Sequence, residues 1–203
     1  MITVTNGHEL RRRRTREAIL KSATRLFDER GFTATTVAEI AADAGVSQRT
    51  FFLHFPSKED LLFTHVDTFR EVAVQAAAAS SSPSPSARVK HAVAAMIDMA
   101  TADSTLVRHA ADRAQTASLG RLPRSLVAQL SALAIALTES VADATDAPPS
   151  KVAPMVGGAL GAVQAAGLIA AEEGASSEEM HQRMSYALAV SYTHLTLPTT
   201  PYV

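Results

Sequence analysis

Along most of the chain apolar residues recur at spacings of three and four, the period of a helix that buries one face. Between Arg11 and Arg30 the stripe is Ile19, Ala23, Leu26 and Phe27, and Gly31 follows as a helix-ending residue. Thr35 and Thr36 offer capping hydroxyls for a second helix, with Val37, Ile40, Ala41 and Ala44 as its inward face. Gly45 breaks that pattern and Val46 turns inward. A third, short helix then starts at Ser47 and stops before Pro56, which disfavours helical geometry at Phe55. Ser57 and Asp60 stand at capping-box spacing, with Asp in place of Glu or Gln. They predict a helix running to about Ala79, with Leu62, His65, Val66, Phe69 and Ala73 on one side.

Ser80 to Ser86 reads "SSSPSPS", too polar and proline-rich for helix, and predicts a linker. Four helical segments follow, at roughly 87–101, 104–118, 124–144 and 151–173, separated by Ala102–Asp103, "GRLP" and "DAPPS". A last helix opens at Ser176, with Glu179 at the third position and Met180, Met184, Ala187 and Leu188 along it. No strand-like alternation occurs before residue 190, so the expected fold is all-α. Residues 191–203 break with the rest, because "SYTHLTLPTTPYV" is rich in Thr and Pro where earlier segments are rich in Ala. They read as translated adapter sequence or as a native tail, and are set aside from the fold. The expected organisation is a three-helix unit over 8–57, a longer helical unit over 58–190, and the atypical tail.

Composition narrows the function classes. Hydrophobic residues make up 47% of the 203, enough for a core, and the scarcity of aromatics favours helices. With no Cys there is no disulfide, thiolate zinc site or cysteine nucleophile. The net charge of −1 makes no whole-chain case for nucleic acid, but residues 1–60 hold ten Lys and Arg against eight Asp and Glu. Arg11, Arg12, Arg13 and Arg14 form the one dense basic run, suited to flanking phosphates or the minor groove. The start of the chain lacks the apolar core of a signal peptide, so a cytoplasmic location is expected. Val152 to Ala171 is long enough to span a bilayer, yet it is mostly Ala and Gly with Pro154 and Gln164 inside it. A buried bundle helix is the expected reading, and no membrane partner is expected.

Helix, glycine turn, short helix is the layout of a helix-turn-helix. Close crossing requires a small residue in the first helix (Ala41), and the turn requires one free to take positive φ (Gly45). Ile40, Ala44, Val46 and Phe51 pin the pair to a supporting helix. That leaves Ser47, Gln48, Arg49 and Thr50 pointing outward at the start of the second helix, where recognition residues meet base edges. Arg can pair with guanine and Gln with adenine through two hydrogen bonds each.

With these residues in place, the run from Thr15 to Leu62 resembles the DNA-binding domain of the TetR family of transcriptional regulators. The resemblance rests on Ile19-Leu20, Ala23, Leu26-Phe27, Gly31-Phe32, Thr35-Thr36, Ile40-Ala41, Ala44-Gly45-Val46, Thr50, Phe55, Lys58 and Leu61, without a gap. It covers about a quarter of the chain. It implies phosphate contacts at Thr35, Thr36 and Lys58 and a backbone-contacting role for His54. Two departures stand out. Arg49 replaces a common Gly and adds a base or phosphate contact, and Phe52 replaces a common Tyr and loses that residue's phosphate-binding hydroxyl, which leaves it to meet DNA by packing on sugar or a thymine methyl. The expected function is a homodimeric regulator that binds a near-palindromic duplex operator, most simply a repressor released by a small-molecule effector.

Beyond that unit the candidates are weaker. His65 lies on an apolar stripe and reads as a core histidine or a ligand contact. Arg108, His109, Gln129 and Gln164, with His91 and Asp112, offer polar points to an effector pocket. No i, i+4 histidine pair suggests a metal, and "GGALG" follows no strand, so neither a metal nor a cofactor is expected. Gly157, Gly161 and Ala165 permit close helix approach, and with Met180, Met184 and Leu188 resemble the family's dimerisation bundle. No acid–base pair or nucleophile arrangement supports an enzyme. The remaining alternative is a helical interaction or membrane-associated protein that uses residues 152–171.

Overall fold

Helix α1 (Gly7–Arg30) is solvated along its arginine-rich first half and buries Ile19, Ser22, Ala23, Leu26 and Phe27 in its second. The computed structural model describes residues 7–193, in two units divided in the chain between Thr64 and His65. In the first unit α1 stops at Gly31, whose φ of +82° only glycine adopts without strain. Thr36 caps α2 (Val37–Asp43) in a full capping box: its amide donates to the Glu39 carboxylate at 2.8 Å, and the Glu39 amide donates to its hydroxyl at 3.3 Å. At the other end Gly45, at φ +68°, completes a Schellman closure, with Gly45 donating to Ala42 and Val46 to Ala41. Ser47 caps α3 (Gln48–His54) by accepting from the Thr50 amide at 3.1 Å. Phe55 is already extended, as the following proline requires.

The helix expected from Ser57 to Ala79 is two elements. Ser57 and Asp60 do exchange the reciprocal bonds of a cap, but the chain then makes a 3-10 turn, Glu59–Phe63. The Thr64 hydroxyl donates back to the Leu61 carbonyl at 3.4 Å, a bond that competes with a regular ladder.

The second unit holds α4 (Val66–Ala79), α5 (Pro85–Ala102), α6 (Ser104–Arg108), α7 (Ala110–Ser118), α8 (Arg124–Thr145), α9 (Pro149–Glu172) and α10 (Ser177–Thr193). The linker is shorter than its composition suggests, because Pro85 begins α5 behind the Ser84 cap, and proline fits a first helical turn. The segment expected as one helix over 104–118 breaks at His109, which turns its ring into the interior. Asp146, at φ +52°, ends α8. Ala73, Val89, Val93, Ile97, Leu133, Leu137, Val141, Val152, Val156 and Leu188 form the main core, drawn from α4, α5, α8, α9 and α10. Each fully buried Val, Leu or Ile contributes about 1.5–3 kcal/mol. Arg88 is buried among them and donates to the Ala77 carbonyl at 2.7 Å and the Ser82 carbonyl at 2.6 Å, satisfying backbone left open where α4 ends. Helix α10 continues through Thr193, three residues into the segment set aside as a tail, and Tyr192 packs against the main core. Residues 194–203 lie outside the described residues. Among the described residues there is no strand.

Candidate nucleic-acid interface

Phe51 and Phe55 are 0% and 1% exposed and lie ring to ring at 5.8 Å, so they hold α3 against α1 and α2. Arg16 fastens the same end from α1: its guanidinium sits over the Phe55 ring and donates to the His54 carbonyl at 3.3 Å. At 100° per residue, Gln48, Phe52, Arg49 and Leu53 occupy one arc of about 140° on α3, and all four are exposed. Thr50, Phe51 and His54 fill the other side, half-buried or buried. A short rigid helix thus presents two polar side chains on its first turn and two apolar ones on its second.

Ser47 is exposed, with its hydroxyl 2.9 Å from that of Thr50, so both are occupied locally. Thr36 is exposed at the start of α2, and its hydroxyl donates to Glu39. Glu39 also pairs with Arg30, and the Thr36 hydrogen bonds hold its carboxyl below the usual range. Arg11, Arg12, Arg13 and Arg14 are exposed on α1, with Arg13 paired to Glu17. Burial lowers His54 below its ordinary range and the nearby Arg12 and Arg16 cations push the same way, favouring a neutral ring that both donates and accepts. No acidic residue lies between Ser47 and Lys58.

Two expected phosphate contacts are turned inward. Thr35 is 1% exposed and its hydroxyl donates to the Gly31 carbonyl at 2.8 Å. The Lys58 ammonium donates to the Phe32 and Thr35 carbonyls at 2.7 and 2.8 Å and lies over the Phe32 ring. Both residues tie the loop between α1 and α2 to the segment behind α3, because that loop's carbonyls have no helical partner.

The residues expected for an effector pocket are scattered in role. His65 is half-buried, stacks edge-on against Phe69 at 4.9 Å, and is pushed down to about 3 by burial and then by the Arg113 cation. His109 is buried with its Nδ1 3.3 Å from Asp112, whereas Arg108 is exposed and bonds Ser104 and Thr105 in its own turn. Gln129 is half-buried on α8, and Gln164 and His91 are exposed. Of the dimerisation residues, Gly157, Gly161 and Ala165 are exposed on the outer face of α9. Met180, Met184 and Leu188 are not on that face. Met180 and Leu188 are buried within their own chain, and Met184 lies against Gly167. The stripe on α10 that reads as a partner surface is the side that packs on α5 and α9. Its outward side instead carries Tyr186 and Val190, which with Ala162, Ala166, Ile169 and Ala187 line an open apolar groove of about 580 Å³.

Two residues escaped the sequence reading. Leu53 is 70% exposed on α3, and its signal was its place four residues after Arg49 on a helix whose inward pins were known. Arg113, donating to the Leu106 carbonyl and lowered to about 10 by burial, gave no signal among the alanines around it.

Comparison with known proteins meets this geometry at the same residues. The model described as bacterial regulatory proteins, tetR family, matches residues 19–64. The chain is 51% identical over 49 residues to the uncharacterized HTH-type transcriptional regulator YerO of Bacillus subtilis, covering 24% of this chain and 17% of that protein. It is 42% identical over 69 residues to the HTH-type transcriptional regulator TcmR of Streptomyces glaucescens, covering 32% and 30%. The chain thus matches less than a third of the length of either relative. The whole fold is similar to that of Thermus thermophilus FadR, a TetR family transcriptional repressor solved with lauroyl-CoA. The TM-score is 0.58 at 20% identity, over 93% of this chain and 98% of that one. The helix-turn-helix that α2 and α3 form thus lies within the segment, residues 19–64, that is similar to the tetR family of bacterial regulatory proteins.

Proposed function

We propose that the protein is a sequence-specific DNA-binding transcriptional regulator, a repressor that acts as a homodimer in the cytoplasm and is released by a small-molecule effector. The observation that carries this reading is the outward arc of α3, with Gln48 and Arg49 exposed on a helix pinned by Phe51 and Phe55. Arg49 pairs with a guanine and Gln48 with an adenine, while Thr36 and Arg11 to Arg14 meet phosphates. A second copy docks on the apolar groove between α9 and α10, where Ile169 and Tyr186 are 54% and 73% exposed. A two-fold dimer of this kind spaces its recognition helices about 34–36 Å apart, one turn of duplex DNA. The effector binds in the helical unit, as the fold similarity to an acyl-CoA-bound repressor supports. A coupling of roughly 1–3 kcal/mol between the sites lowers operator affinity about 5- to 150-fold.

Selection of bound sequences from a random duplex pool tests this reading. A two-fold symmetric motif, bound with an affinity that falls steeply with salt, is the expected result. No enrichment, or salt-insensitive binding, overturns it. A second reading rests on α8 and α9, both long and apolar enough to cross a membrane. Against it, α9 turns Val152, Val156, Ala159 and Val163 into the core and exposes Lys151, Ala153, Pro154, Gly157, Gly161, Gln164 and Ala165, a weak surface for lipid. Retention on membranes after a high-salt wash would favour that alternative.

A further inference from the structure

We propose that Phe52 and Leu53 read the C5-methyl groups of thymine, so that the operator is specified partly by apolar contact. The inference rests on the regulator reading above and names what its second helical turn recognises. Phe52 and Leu53 are 51% and 70% exposed on the same arc as Gln48 and Arg49, each one turn further along α3. Neither side chain donates or accepts a hydrogen bond, so neither can pair with a base edge or a phosphate. In the major groove the apolar feature a base offers is the thymine methyl, and apolar side chains contact it. Phe52 is also held in place. Its ring meets the buried Phe51 ring edge to face, with centroids 5.4 Å apart and planes at 84°. Arg49 stands between the two on the arc, and no acidic residue from Ser47 to Lys58 opposes the approach of phosphates. The surface is therefore continuous with the polar readers, held in place at Phe52, and compatible in charge with one occupant, a thymine-bearing duplex.

The test uses the full chain and the operator that selection recovers. Each thymine is replaced in turn by deoxyuridine, which keeps the pairing and the O4 acceptor and lacks only the methyl. One or two thymines per half-site are expected to weaken binding about fourfold each when demethylated. Leu53→Ala and Phe52→Ala are each expected to weaken binding to the thymine operator and to erase the thymine–uracil difference at their own step. Both side chains are exposed, so unchanged helicity by circular dichroism is the check that the variants fold. If no demethylation changes affinity, or if the differences persist in both variants, the inference is overturned while the regulator reading stands on the selected operator. If selection recovers no operator, the reading beneath is overturned and the inference with it.

Discussion

The guanidinium carbon of Arg16 stands 4.3 Å from the centroid of the Phe55 ring, joining the middle of α1 to the residue that ends α3. The contact holds α3 from behind and leaves its outward arc clear. Arg16→Ala is expected to lower the stability of the N-terminal unit by about 1–2 kcal/mol, losing a cation–π contact and a hydrogen bond to the His54 carbonyl. Denaturant unfolding measures it, and an unchanged midpoint would show the contact to be idle.

Lys58 and Arg49 separate a structural cation from a reading one. Lys58→Ala removes the ammonium from the Thr35 carbonyl and leaves the Phe32 carbonyl with the Thr35 amide alone, and is expected to destabilise the fold by about 1–3 kcal/mol. It should leave the salt dependence of DNA binding intact. A phosphate contact would instead reduce the salt slope by about 1. Arg49→Ala should spare stability and relax one base position by about 1–3 kcal/mol.

Gly45 tests the turn. A methyl group there would meet open space, so the cost of Gly45→Ala comes from its φ of +68° alone. A loss of about 1–2 kcal/mol is expected in thermal unfolding, with Gly45→Asn costing less because Asn tolerates that region. Equal stability of all three forms would contradict a left-handed turn.

The local code was legible where backbone geometry sets it. Glycines at positive φ, hydroxyl caps and the Phe-Pro stop each act within a few residues, so α1, α2 and α3 could be drawn from the sequence. What depends on a partner distant in sequence could not. Lys58 is drawn inward by the Thr35 carbonyl 23 residues away, and Thr35 turns its hydroxyl onto the Leu26 and Gly31 carbonyls, so two expected phosphate contacts face the interior. Met180 and Leu188 show the same limit. A periodic apolar stripe identifies a buried face, but whether it packs on its own chain or on another copy depends on the tertiary arrangement.

His65 gives a pH signature. Above pH 6.5 its ring is neutral in folded and unfolded chains alike. Between 6.5 and about 3 the unfolded chain binds a proton that the folded one, beside Arg113, does not take up. Stability therefore falls with pH across that window, by up to about 1.4 kcal/mol per pH unit. His65→Phe, which keeps a ring against Phe69, should flatten that limb in unfolding curves measured from pH 7 to 4. Glu39 and Asp43, both held low, lose stabilisation in the same direction as pH falls, so the difference between the two curves is the readout.

Ile169→Glu places a charge in the apolar groove on α9 and α10. The variant is expected to keep its helicity and to sediment at half the mass of the parent, with operator affinity falling alongside. A parent that sediments as a monomer, or a variant that remains paired, rules out this face as the seat of a second copy.

Helix α3 holds seven residues, about 10 Å of axis, and in the proposed complex would lie alongside about three base pairs. Three base pairs distinguish about 64 sequences, far too few letters to single out one address in a chromosome. Lengthening the word from within is blocked, because Pro56 fixes where the helix stops. In that role the rest of the information would have to come from repetition, from the shape of the duplex between half-sites, or from arms that reach past the helix.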